Sequence, residues 1–231
     1  MPPTPSNSIS LKTAALISGF CLLVMVIAAP IAEMYAYPKL VVSGNLSDTV
    51  QNLSTQKGLF LICIMGYLLT FVLDIVVAWS LHLFLKPVNA EGSLLTAWFR
   101  VVYTVVAFVA LLNLVSVYRM LHAPTGFLLD NESNNLQIAH YLNAFKSQWQ
   151  FGFVFFSLHL ILLGYLAVKS SYIPKLFGIL LIVNGLGYLV NTLKPFLFPT
   201  VNISFVSFTF LGEIVFMFWL LIKGWRVKWD G

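Results

Sequence analysis

The stretch GYLLTFVLDIVVAWSLHLFL, residues 66–85, decides how this chain folds. Almost every position is apolar, and about 20 such residues in a helix cross the hydrocarbon of a bilayer. Asp74 sits in its middle. A carboxylate in a place with so little water needs a reason. The composition gives the run its context: 59% of the 231 residues are hydrophobic and 9% are charged. Soluble domains carry about 25% charged residues. This chain cannot cover its surface with polar groups, so lipid is its expected solvent.

Five further apolar runs match the first in length. The six expected spans are 11–32, 58–85, 94–120, 148–168, 174–193 and 203–223. They use most of the chain, which predicts an all-α, polytopic membrane protein. It is one domain, 1–231, a bundle of six transmembrane helices with no separate soluble part. The run from Ala14 to Ala32 is longer than the apolar region of a typical signal peptide, so the first helix is expected to be retained.

The net charge of +5 does not point to nucleic acid, because the basic residues are scattered over short loops and form no stripe. Their distribution orients the chain. Lys12, Lys86, Lys169, Lys175, Lys223, Arg226 and Lys228 fall on one side, mostly in short connections. Lys39, Lys57, Arg119, Lys146 and Lys194 fall on the other. The positive-inside rule then makes both termini cytoplasmic. Trp98, Trp149, Trp225 and Trp229 fall at span ends, at the level of the lipid headgroups.

Two connections are long and external in this topology: 34–57 and 122–148. Within the second, Ile138, Tyr141, Leu142 and Phe145 share one helical face, so 136–145 reads equally as a short interfacial helix or an irregular loop. Asn45, Asn52, Asn131 and Asn202 head Asn-x-Ser/Thr triplets on the same side. Pro174 suits the first turn of the fifth span. Gly178, Gly185 and Gly187 suit close helix approach. Cys21 and Cys63 lie in different spans at different depths; no disulfide and no metal spacing is expected.

Four ionisable residues fall well inside the spans: Asp74, Arg100, His159 and Glu213. An intramembrane charge costs about 2.5–3.5 kcal/mol on insertion scales, so such residues face inward and pair. At a rise of about 1.5 Å per residue, Asp74, His159 and Glu213 lie near the midplane. Arg100 lies closer to the inner end, with a side chain long enough to reach them. Neighbouring polar groups extend these faces. Tyr67 and Thr70 align with Asp74; Tyr103 and Thr104 align with Arg100. Asn184 and Asn191, with Tyr188 between them, form a stripe on the fifth span, and Thr209 aligns with Glu213. Asn113 lies around the helix from Arg100 and points to another contact.

Arg100 supplies one positive charge that it cannot lose. Asp74 and Glu213 supply two acids. One carboxyl is left over, and three readings stay open: it carries a proton, it pairs with a protonated His159, or it takes a cation. Pairing alone accounts for Asp74 and Arg100, but not for Glu213.

The chain also resembles a bacterial membrane-protein family, domain of unknown function 4386. The matching stretches are Leu73-Asp74, KPVN at 86–89, Phe99-Arg100, FFSLHLILLGYL at 155–166, SSYIPKLFGILLIVNGLGYLVN at 170–191, Gly212-Glu213 and WLLIKG at 219–224. The resemblance spans nearly the whole chain and implies a six-helix integral protein of the bacterial inner membrane. It implies no substrate.

Two function classes follow. The polar cluster binds a small solute or a proton, as in a transporter; or it only fixes helix packing in a structural or accessory protein. An enzyme is the weaker expectation, because HExxH, paired glutamates, facing histidines for haem, Gly-x-Ser-x-Gly and nucleotide loops are all absent. No cofactor is expected, and the bilayer is the one firm partner.

Overall fold

The computed structural model describes residues 9–122, 131–200 and 211–227. These residues are almost entirely helical, and no strand occurs among them. The chain is an all-α membrane protein. Helix α1 is Leu11–Pro30, continued by a π-helical turn Ile31–Ala36 and a last turn Tyr37–Leu40. Then come α2 Leu46–Thr55, α3 Lys57–Leu85, α4 Ala90–His122, α5 Asn131–Lys169, α6 Lys175–Leu197 and α7 Gly212–Ile222. Five of these are long and apolar enough to cross a bilayer; α7 is a shorter apolar helix. The expected sixth span begins at 203, so its first residues, with Thr209 and the Asn202 triplet, lie outside the described residues, as do Lys228 and Trp229. Between a third and a half of each long span's most apolar window is buried. The remainder presents residues such as Phe20, Met65, Leu112 and Leu176 outward, as lipid requires.

Two helices run further than their apolar stretches suggest. Pro30 has no N–H to give its turn, and the ladder resets as the π-turn 31–36 instead of ending. Residues 131–147 are neither a separate interfacial helix nor a loop: they are the start of the 39-residue helix α5. The face read from the sequence carries this extension. Ile138, Leu142 and Phe145 are buried, and Tyr141 is partly buried. At about 1.5 Å per residue α5 is nearly twice as long as the hydrocarbon is thick, so part of it stands outside the membrane.

Helix ends follow local chemistry. Gly44, at φ 76°, turns the chain before α2. Asn45 then caps it by accepting the Asp48 N–H at 3.1 Å. Asn89 caps α4, accepting the Gly92 N–H at 2.6 Å. Pro174 is the residue before α6 and not its first helical residue.

The chain divides into two compact units. The first comprises Met1–Leu23, Asp74–Val101 and Val154–Gly231; the second comprises Val24–Leu73 and Val102–Phe153. In the first unit, α5 and α6 pack backbone to backbone. A Cβ on Gly164 would lie 2.5 Å from the Gly178 carbonyl oxygen, and one on Gly185 would lie 2.8 Å from the Ser157 carbonyl. Gly212 brings α7 equally close to Leu180 of α6, at 2.6 Å. Ser18 donates to Ser80 at 2.7 Å, joining α1 to α3. In the second unit, rings fill the core: Tyr67, Phe71, Phe145 and Trp149 stack or meet edge-on. Cys21 and Cys63 are free and buried, one in each unit.

The short link between α5 and α6 is also tied down. Ser170 accepts the N–H groups of Tyr172 and Ile173. The Tyr172 hydroxyl donates to the Phe84 carbonyl at 2.5 Å. That carbonyl is in the last turn of α3, where helix geometry offers no partner. Burial pushes the Tyr172 phenol up to about 12, so it keeps its proton at neutral pH. Tyr172→Phe is expected to lower stability by about 1 kcal/mol, read as a lower melting temperature in detergent.

Candidate functional site

Arg100 is fully buried and is the centre of the first unit's polar cluster. Its Nε donates to Asp74 Oδ1 at 2.7 Å, and Nη2 lies 2.6 Å from the same oxygen. Nη1 donates to Glu213 Oε1 at 2.7 Å and to His159 Nε2 at 3.1 Å. Each partner comes from a different helix: Asp74 from α3, His159 from α5 and Glu213 from α7. Both acids are thus paired with the same guanidinium. The ring of Phe156, with its centroid 5.3 Å from Cζ, lies against the guanidinium, and Tyr188 meets that ring edge-on.

The histidine's role follows from its two nitrogens. Nδ1 lies 2.9 Å from the Thr96 carbonyl oxygen, which can only accept, so Nδ1 carries the proton. Nε2 faces an Arg100 N–H, so it is the acceptor. His159 is neutral in this arrangement and does not supply the second positive charge. With both acids ionised, Arg100, Asp74 and Glu213 would carry a formal −1. Of the three, Glu213 has the most exposed side chain, 21% against 2% for Asp74 and 0% for Arg100.

The supporting residues divide between two settings. Asn184 is buried on α6 in the first unit, facing the Gly212 contact. Asn191, two turns further on the same face, is exposed, so the expected stripe is only half covered. Tyr67, Thr70, Tyr103 and Thr104 are buried in the second unit. There Thr70 donates to the Gly66 carbonyl of its own helix at 2.9 Å. Tyr103 accepts from Trp149 Nε1 at 3.0 Å. Asn113 donates to Gln148 at 2.9 Å, a contact of its own.

Tyr67 has a partner that the sequence did not reveal. Its hydroxyl donates to the carboxylate of Glu33, on the π-turn after Pro30. Glu33 lies where the first apolar run gives out, between the expected span and the expected loop. The one available signal was an acid three residues beyond a proline at the end of that run. Among the described residues, no three His, Cys, Asp or Glu side chains converge to hold a metal ion.

The comparisons give a family without a chemistry. A family model described as Domain of unknown function (DUF4386) matches residues 17–224. A protein of Archaeoglobus fulgidus, described as uncharacterized, is 35% identical over 165 residues, covering 71% of this chain and 85% of its own. Similarity therefore reaches an archaeon and is not confined to bacteria. No solved structure matches the chain.

Proposed function

Because the chain belongs to the family described as Domain of unknown function (DUF4386), a description that carries no activity, we propose its role from geometry: the Arg100 cluster is a lock that holds four helices of a structural or accessory membrane protein. One observation carries this reading: both acids and the histidine converge on a single guanidinium with no exposed surface. A transport site needs access and room for a solute. Here Nε and Nη1 of Arg100 donate to Asp74, Glu213 and His159, and Nη2 lies against Asp74 Oδ1. A multi-pass protein of the cell membrane with both termini cytoplasmic is the matching topology, supported by the Lys and Arg bias between connections.

One observation favours proton binding as the second reading: Glu213 is the member of the cluster with exposed surface. Two variants separate the readings. Under the lock, Asp74→Asn loses a charge-assisted bond inside the sealed part of the cluster, about 1.5–3 kcal/mol. Glu213→Gln, at the partly exposed edge, loses less. Neither changes the proton permeability of proteoliposomes reported by a pH-sensitive dye. A stable Glu213→Gln protein with altered proton flux would replace the lock with a proton site.

A further inference from the structure

The second unit contains a cavity of about 640 Å³ between the end of α1, the turn before α2 and the first part of α5. Its volume is that of a small-molecule site, roughly 300–1,000 Å³. Two opposite charges line it, Glu33 and Lys146. Both are exposed to it, and among the described residues neither closes an ion pair with the other or with any third group. Opposite charges that share a cavity without meeting leave a place for a ligand carrying both complements.

The walls are prepared before any ligand arrives. Tyr67, itself 1% exposed, holds the Glu33 carboxylate from behind by its hydroxyl. The π-turn places Glu33 on the cavity side of α1. Opposite, Thr49 accepts the Val42 N–H at 2.9 Å and donates to the Asn45 carbonyl at 2.8 Å. That fixes the loop 41–45, which forms much of the wall. Asn143 and Lys146 are one turn apart on α5 and face the same space.

We propose that this cavity binds a small zwitterion, with a primary ammonium group on Glu33 and an anionic group on Lys146. A quaternary ammonium is less suited, since those groups are held by cages of several aromatic rings, and among the described residues Tyr37 is the one ring in the lining. A primary ammonium instead donates directly to the carboxylate. The site belongs to the second unit and is independent of the Arg100 lock. Two sources share the chemistry: a free solute such as an amino acid or phosphoethanolamine, and the headgroup of an ethanolamine phospholipid.

The test uses the full chain in nanodiscs and reads melting temperature. Added phosphoethanolamine is expected to raise it saturably in phosphatidylcholine discs if the source is a free solute. Discs containing phosphatidylethanolamine are expected to raise it without additive if the source is lipid. In either case Glu33→Gln and Lys146→Met, two exposed positions on different helices, should weaken half-saturation, or the lipid ratio needed, by roughly tenfold or more. Ethylamine and inorganic phosphate, each carrying half the charge pattern, should give much less. No shift with either source overturns the proposal. So does a shift that both variants retain, or one that ethylamine alone reproduces.

Discussion

Arg100→Met is expected to be the most damaging single exchange in the protein. Methionine fills much of the same space but carries no charge. Asp74 and Glu213 then remain as two acids in a low-dielectric site with no counter-charge, and His159 Nε2 loses its donor. Removing one partner of a buried ion pair costs about 3–5 kcal/mol. Domains are stable by about 5–15 kcal/mol, so the variant should be recovered poorly and melt early in detergent. The rescue is the more telling measurement. Replacing a whole buried ionic group by apolar residues of similar volume is often neutral or stabilising. Adding Asp74→Leu and Glu213→Met to Arg100→Met should therefore restore at least half of the lost stability. If the triple variant is as unstable as the single one, the charges do more than compensate one another, and the lock reading fails.

That asymmetry explains how far the sequence could be read. Six apolar runs in a chain with 9% charge leave few alternatives to a helical membrane protein, and the described residues hold five long apolar helices and a shorter one. The cluster's membership was also readable, because an ionisable residue inside a span is rare enough to demand a partner. What could not be read was the state of each member. The neutral form of His159 depends on the Thr96 carbonyl, 63 residues away. Backbone atoms leave no mark in a sequence pattern. Glu33 was missed for a related reason. Its partner Tyr67 is 34 residues distant, and the helix continues past Pro30 as a π-turn beyond the end of the expected span. The start of α5 was obscured by polarity: the sequence of 131–147 is hydrophilic overall, and only one face of it packs.

Gly164→Ala is the second exchange expected to have a large effect, although it adds one methyl group. That methyl would sit 2.5 Å from the Gly178 carbonyl oxygen and 2.8 Å from the Ile182 backbone nitrogen. Backbone atoms cannot rotate away, so α5 and α6 must separate. Overpacking of this kind costs about 1–3 kcal/mol, and the upper end is expected because the obstacles are rigid. Gly178→Ala meets the Gly164 carbonyl at 2.7 Å and should behave alike. The double variant should cost less than the sum of the two, since both methyl groups open the same gap. Gly58→Ala is the control: nothing lies within 4 Å of its added Cβ, and alanine favours the helix by up to about 1 kcal/mol. Melting temperatures of the four proteins settle the order. The glycine contacts also position the cluster. Gly185 seats α6 on the turn of α5 that carries His159, and Gly212 seats α7 on α6 one residue before Glu213. The distances of 3.1 and 2.7 Å from Arg100 to those two groups thus depend on helices that touch without side chains between them. A lock of four charged and polar groups works only if its parts arrive at fixed positions, and the small residues of α5, α6 and α7 supply that constraint.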